Sequence, residues 1–329
     1  MRQPSRFSLM KCLAVAALTA LCAPAAQAAY PDHPVTVVVP YPPGGAADIF
    51  GRAIAHAMEP GLKQTVLVEN RPGAGGNVGM AHVARSAADG YTLGLGTIGT
   101  QSINQFLYDN MPFDPAQDLV PIALVSTTPN VLAVRTDSPF KTLADVIAAA
   151  KARKDNKITY ASPGVGSSVH LTGAYFEAVA GIELLHVPFK GTSASLPAVA
   201  GGQVDLLFDN LPGSLAQIRD GSRVRGIAVT SLQRDPAVPD LPTFAEAGLP
   251  GFDVTAWFAL YAPRGTPEPV VRALIDAARA GLKAPELGRQ FAAMGAQPGT
   301  LFGADLGAFE QRERDKWGKL VKQRGIAAK

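Results

Sequence analysis

The sequence predicts an α/β chain of two lobes, with parallel-rich sheets, flanking helices and a ligand cleft between the lobes. Three observations lead there. The β-branched run Val35, Val37, Val38 and Val39 has the character of a buried parallel strand. It passes through Pro40-Tyr41-Pro42-Pro43-Gly44-Gly45 into an amphipathic stretch from Ala46 to Met58. The same device recurs more than a hundred residues later, where Ile158 to Ser162, Pro163-Gly164-Val165-Gly166 and Ser167 to Ala180 read as strand, turn and helix. Finally, the mature chain of about 300 residues is longer than one core usually organises.

A helix that starts after a glycine turn exposes unpaired backbone N–H groups and the positive end of its dipole, which is an anion site in outline. Two such starts imply that each lobe offers one to a shared cleft, since ligands of open α/β sheets bind beyond the carboxyl ends of the strands. Ser162, Ser167 and Ser168 add hydroxyl donors, although a serine at a helix start is also an ordinary cap.

Taken in order, Phe50, Ile54 and Met58 share a face of the first helix, which Pro60-Gly61 is expected to end. Thr65 to Val68 is a strand leading into the glycine loop Glu69 to Asn77, then a helix from Val78 to Ala87. Tyr91 to Gly96 is the next strand, ending at Thr97-Ile98-Gly99-Thr100. Strand, helix, strand, helix, strand is the doubly wound pattern. After the loop at Pro112-Phe113-Asp114-Pro115, two apolar runs between Ile122 and Val134 carry the chain towards a second lobe.

Lys141 to Lys154 is expected to be helical, opened by Thr142 with Asp145 three residues on. Beyond the second glycine turn come a strand from Glu183 to Pro188, a helix from Ser195 to Ala200, and a strand Val204 to Phe208 that delivers Asp209 to its end. Arg225 to Thr230 is a further strand, and Asp235 to Pro250 a proline-rich loop with a short helix around Ala245. Val254 to Tyr261 returns the chain to the first lobe. Pro267 to Leu282 and Leu306 to Val321 are amphipathic helices, the second with Leu306, Phe309, Trp317 and Leu320 on one side.

The first 28 residues read as a secretory signal. Arg2, Arg6 and Lys11 precede an apolar stretch from Cys12 to Leu21, and Ala26-Gln27-Ala28 is a small-x-small cleavage site. The apolar run is shorter than the roughly 20 residues a membrane span needs. Both cysteines, Cys12 and Cys22, fall inside this segment, so the mature chain is expected to have no disulfide, thiolate ligand or cysteine nucleophile. Its removal takes the net charge from +3 to 0, and nothing then points to nucleic acid. With 47% hydrophobic and 17% charged residues, the composition is that of a folded chain.

At this point the chain resembles the periplasmic solute receptors of tripartite tricarboxylate transporters, also called the Bug family. The matching blocks include Tyr41-Pro42-Pro43-Gly44-Gly45, Glu69 to Gly76, Asp89-Gly90-Tyr91-Thr92-Leu93 and Pro112-Phe113-Asp114-Pro115. Tyr160-Ala161-Ser162, Gly166 to Leu171, His186 to Gly191, Gly201 to Asp205 and Ala262 to Pro267 continue the match through the mature chain. The resemblance implies a two-lobed periplasmic binding protein fold, type II-like, with residues 29–127 and 251–329 in one lobe and 128–250 in the other. It implies an export signal at 1–28, a periplasmic location and a monomer working with integral-membrane permease subunits.

It also implies that a small carboxylate, whether a di- or tricarboxylate, an amino acid or an aromatic acid, is held by the loops already singled out. Those positions are Gly44, Gly45, Ala46, Ala47 and Asp48, the strand end at Thr97 and Thr100, then Ser162, Gly166, Ser167, Ser168 and His170, and finally Asp209. Ala174 departs from the family, in which a glutamate often follows the His-Leu-x-Gly segment.

Two other classes remain open. Ser167 and His170, with Asp205 or Asp209, invite a serine-hydrolase reading, but no Gly-x-Ser-x-Gly elbow surrounds Ser167. A ligand sensor for a two-component kinase is the other. The glycine loops lack both nucleotide fingerprints, and His33, His56, His82, His170 and His186 show no metal-ligand spacing, so neither cofactor nor metal is expected. Asp48 is ambiguous: it either satisfies backbone N–H groups in its helix's first turn or holds a water or a ligand ammonium group. A second anion beside a bound carboxylate needs such a partner.

Overall fold

In the computed structural model, which describes residues 30–153 and 156–324, the valine run is strand β1 (Val35–Val39), buried at every position but Thr36. It is flanked on both sides, pairing in parallel with β2 (Val66–Asn70) and β3 (Thr92–Thr97). Parallel neighbours need crossovers, and α1 (Ala46–Leu62) and α2 (Asn77–Ala84) supply them. Phe50, Ile54 and Met58 are fully buried on the inner face of α1. The expected signal segment, with Cys12 and Cys22, and the end of the helix expected to reach Lys154 lie outside the described residues. By its contacts, the chain from His33 onward forms one unit.

A single strand joins the two halves of the fold. β4 (Leu119–Arg135) pairs antiparallel with β9 (Thr255–Pro263) up to Pro129. From Asn130 onward it pairs with β7 (Leu206–Asn210) and with β8 (Val224–Val229). β9 lies between β4 and β3, antiparallel to both. The first sheet therefore runs β2-β1-β3-β9-β4, and the second continues β4-β7-β5-β6 through β5 (Thr159–Ser162) and β6 (Leu185–Pro188), which are parallel to each other. The result is an α/β fold of two lobes, with the two apolar runs of the sequence merged into one crossing strand.

Helices cover the second sheet: α3 (Leu143–Ala152), α4 (Ser168–Ala180), α5 (Thr192–Ala200) and α6 (Leu211–Asp220). Thr142 caps α3 in a reciprocal box with Asp145, as its spacing predicts. The last three helices come directly after β5, β6 and β7, so their N-termini lie at the carboxyl ends of the strands. The tail adds α7 (Glu268–Leu282), α8 (Pro285–Ala293), the two-residue β10 (Gln297–Pro298) and α9 (Gly303–Arg324). Leu306 and Trp317 of α9 are buried, and the indoles of Trp257 and Trp317 both donate to Glu313 at 3.1 Å.

Three kinds of departure from the sequence-based expectations stand out. The sequence does not predict α6 or α8: α6 starts directly from its strand with no loop. The stretch around Ala245 is a set of turns, not a helix. Thr243 and Glu246 exchange capping bonds there, but Gly248 at φ 107° and Pro250 end the element within a turn.

The third departure is the end of α1, which runs through Pro60 and Gly61 to Leu62. Pro60 forfeits one hydrogen bond to the preceding turn, and the helix continues only two residues beyond it. Gly61 proves to be a contact instead of a stop. A Cβ there would lie 2.9 Å from the Ala277 Cα of α7, and one at Gly281 would lie 2.6 Å from the Ala57 carbonyl oxygen. The two helices cross with their backbones touching.

Alanine normally stabilises a helix by up to about 1 kcal/mol over glycine. At this crossing Gly281→Ala should do the reverse, destabilising by about 1–3 kcal/mol as an overpacked core does. Urea unfolding midpoints of the two proteins check this, and a rise in the variant would contradict the close crossing.

Candidate ligand site

Four helix N-termini converge on one cavity of about 30 Å³. Gly45, Ala46 and Ala47 bring the start of α1, and Ser167, Ser168 and Val169 the start of α4. Gly191 and Thr192 bring α5, and Asn210 brings α6. Thr97 and Phe258, from the strands β3 and β9, close the floor, with Tyr41, Pro42 and Pro163 at the rim. The caps Gly45, Gly191 and Asn210 make no side-chain bond to their helices, so first-turn N–H groups are left without a capping partner. No charged side chain lines the cavity. An open groove of about 540 Å³ adjoins it, sharing Tyr41, Pro42, Pro163 and Gly191, with Lys190 on its wall.

Of the residues expected at the site, Gly45, Ala46, Ala47, Thr97, Ser167 and Ser168 face this cavity. Gly44, Asp48, Thr100, Ser162, Gly166, His170 and Asp209 stand behind it. Asp48 accepts from the Gly44 N–H at 3.1 Å, from Arg52 Nε at 3.1 Å and from Asn70 Nδ2 at 2.9 Å. Burial pushes its carboxyl up, and the bonds from Arg52, Asn70 and Gly44 outweigh that and hold it below its ordinary value. Asn70 also donates to the Tyr41 carbonyl at 3.0 Å, so the carboxylate fastens the glycine turn to its own sheet. Thr100 Oγ1 accepts from the Thr97 N–H at 2.9 Å, which fixes the strand end presenting Thr97.

In the other lobe, Ser167 Oγ accepts from the His170 N–H at 3.1 Å and donates to the Gly164 carbonyl at 2.7 Å. The hydroxyl meets the backbone of His170 and not its ring, so the pair lacks nucleophile–base geometry. Asp205 is likewise engaged, accepting from the N–H and hydroxyl of Thr159. His170 stacks on His186 with ring centroids 4.2 Å apart, and His186 Nε2 lies 2.7 Å from Ser162 Oγ. Burial lowers the His170 pKa to about 4, and burial with the neighbouring His170 lowers His186 to about 3. This neutral pair backs the loop from Ser162 to Ser168.

The lobes meet along that loop. Tyr108 donates to the Val165 carbonyl at 3.0 Å, and a Cβ on Gly99 would lie 2.6 Å from the Gly166 carbonyl oxygen. Asp209, fully buried, accepts from Thr192 Oγ1 at 2.8 Å, and burial pushes its pKa up to about 7. Among the described residues no group of three or more His, Cys, Asp or Glu side chains could hold a metal. No helix among them is long and apolar enough to cross a membrane.

Sequence reasoning misses Tyr41, Pro42, Gly191, Thr192, Asn210 and Phe258 as cavity residues, whereas Pro163 and Val169 fall within the expected loop from Ser162 to His170. Gly191 and Asn210 carry a usable signal, since each caps a helix that follows a strand, as Gly45 does. Phe258 carries none, because strand pairing across the fold places it there.

The family model described as the tripartite tricarboxylate transporter family receptor matches residues 50–326. Three solved structures are similar throughout. R. palustris Rpa4515 with adipate is 36% identical, with a TM-score of 0.87 over 91% of this chain and 99% of that one. The periplasmic binding protein BugD is 37% identical, with a TM-score of 0.85 over 90% and 99%. MatC from Rhodopseudomonas palustris with bound malate is 34% identical, with a TM-score of 0.84 over 89% and 100%.

The histidine pair has a consequence for acid stability. Both folded pKa values lie below the unfolded one, so the unfolded chain binds protons first. The contribution is intact above about pH 6.5 and is lost as pH falls from there towards 4 and 3. Relative to a His170→Gln, His186→Gln variant, the native protein should lose urea resistance across that interval. A constant difference between the two proteins over pH 4–7 would show that the pair does not titrate on unfolding.

Proposed function

Since the chain belongs to the receptor family of tripartite tricarboxylate transporters, we propose that it binds a small organic carboxylate between its lobes and delivers it to membrane permease subunits. The observation that carries this reading is the meeting of four helix N-termini around a cavity with no charged lining. Backbone N–H groups, the Ser168 hydroxyl and the Thr97 hydroxyl are donors suited to a carboxylate head. Adipate and malate, bound by two similar proteins, are the ligands to try first. Asp48 is spent on its own lobe, which favours a plain carboxylic acid over an amino acid, whose ammonium group needs an anion.

We place the lobe boundaries near 127/128 and 250/251, supported by the change of β4's partners at Pro129 and the start of β9 at Thr255. The cavity of about 30 Å³ holds little more than water on a scale where one water takes about 10–15 Å³. Entry of an acid therefore requires the lobes to part, and a permease recognises the closed form. A leader at 1–28 sends the chain to the periplasm in this reading, where it works as a monomer without cofactor.

A thermal-shift panel of adipate, malate, aspartate and benzoate tests the reading. At 100 times its dissociation constant a bound acid adds about 2.7 kcal/mol. Ser168→Ala should weaken the responding acid by about 1–2 kcal/mol by calorimetry, the scale of one bond to a charged group. The bound acid should be recovered intact. Turnover of an acid, or the absence of any response across dicarboxylates, amino acids and aromatic acids, would sink the receptor reading.

A further inference from the structure

Asp209 is the penultimate residue of β7, 1% exposed. Its Oδ1 accepts from Thr192 Oγ1 at 2.8 Å. Its Oδ2 and Ser214 Oγ of α6 are both buried without a well-formed hydrogen bond. Burial pushes the Asp209 pKa up, and the Asn210 N–H and Ser214 draw it down only in part. A Cβ on Gly213 would lie 2.8 Å from Asp209 Oδ2, so α6 covers the carboxyl group with backbone and excludes water. Thr192, unlike Asp209, lines the cavity. A buried carboxyl thus touches the cavity through one hydroxyl.

The direction of that bond decides what the cavity sees. An ionised Asp209 can only accept, which commits the Thr192 hydrogen to it and leaves lone pairs for the cavity. Those repel a carboxylate. A protonated Asp209 can donate through Oδ1 to Thr192 Oγ1, and the hydroxyl hydrogen is then free to turn towards a bound anion. Protonation also removes a negative charge from beside the site. We propose that Asp209 is a proton site coupled to ligand binding: one proton enters with each carboxylate and is held on Asp209, while Thr192 becomes a donor to the anion. This rests on the reading that a carboxylate occupies the cavity.

No charged side chain faces Asp209 to hold its proton off. α5 carries none, and β5 offers only Tyr160, packed on His186 and Phe208. On β4 the register partner is Val131, and Arg135, four residues on, pairs with Asp137. On α6, Arg219 and Asp220 lie in the last turn, bonded to the Ala237 and Ala293 carbonyls and to Ser222. The neutral pair His170 and His186 takes up protons only at pH values around 4 and 3. Burial has already brought Asp209 to about 7 before any anion arrives, and an anion nearby raises it further.

Calorimetry of the native protein with adipate and with malate tests this between pH 6.5 and 8.5, where ordinary carboxylic acids, with pKa values near ~4, are ionised. In two buffers of different ionisation enthalpy, proton uptake on binding should rise from about a quarter of a proton per ligand at pH 6.5 towards one at pH 8.5, as Asp209 starts progressively more ionised. Affinity should fall by up to about tenfold per pH unit above the pKa of Asp209. Asp209→Asn places a permanent donor opposite Thr192 and should bind with no proton uptake and a flat pH profile. Thr192→Ser should keep the coupling and Thr192→Val should lose it. Binding without proton uptake overturns this inference and leaves the receptor reading standing, and so does an unchanged pH slope in Asp209→Asn. If neither acid binds at any pH, both fall. Should Asp209→Asn fail to fold, the buffer comparison on the native protein decides alone.

Discussion

Backbone N–H groups at the start of a helix have no partner within the helix, and a buried one needs a partner from elsewhere. This fold gathers four such starts at one cavity and leaves three of the four caps without a side-chain bond. That arrangement asks three things of the chain: strands that point their carboxyl ends at each other from two sheets, turns short enough to start a helix immediately, and walls free of competing charge. The valine strand with its proline-glycine turn meets the first two demands in one lobe, and the strands before α4, α5 and α6 meet them in the other. The third is met by sending Asp48 and Asp209 backwards into their own lobes.

Joining the two sheets is the work of β4, with β9 beside it. Seventeen residues of β4 pair first with one set of strands and then with another, so one continuous backbone carries both sheets. The change of partners between Pro129 and Asn130 is secured from the side. The Asn130 N–H donates to Thr230 Oγ1 at 2.8 Å, and that hydroxyl donates to the Val254 carbonyl at 2.6 Å. The crossing is thus narrow and well bonded, the construction of a hinge that bends without fraying.

Much of this is legible in the sequence because the signals are local. The β-branched runs, the glycine turns and the faces of α1 and α9 are set by neighbours within a few residues, and the structure agrees with them. The helix that leaves β7 is not legible, since Asn210 is at once the last strand residue and the helix cap and no loop separates the two. Gly61 reads as a stop because its neighbour is proline. Its role as a contact depends on Ala277, over two hundred residues away. The site divides the same way: the turn residues can be found from sequence, whereas Phe258 and Thr192 reach the cavity through strand pairing and helix placement. The family resemblance puts Asp48 and Asp209 at the site, yet only their hydrogen bonds reveal that each is engaged within its own lobe.

The seam between Gly99 and Gly166 sets how tightly the two halves can shut, and neither residue lines the cavity. A single methyl group at Gly99 acts as a doorstop, holding the jaws ajar by its own radius whatever lies between them. Observed affinity is the intrinsic affinity scaled by the fraction of time the jaws can close. Selectivity and grip are therefore separately adjustable in this scaffold: the lining chooses the solute, and the seam governs how tightly it is held. An optical reporter built on this chain could have its working range moved at Gly99 alone, with its preference among solutes left as it is.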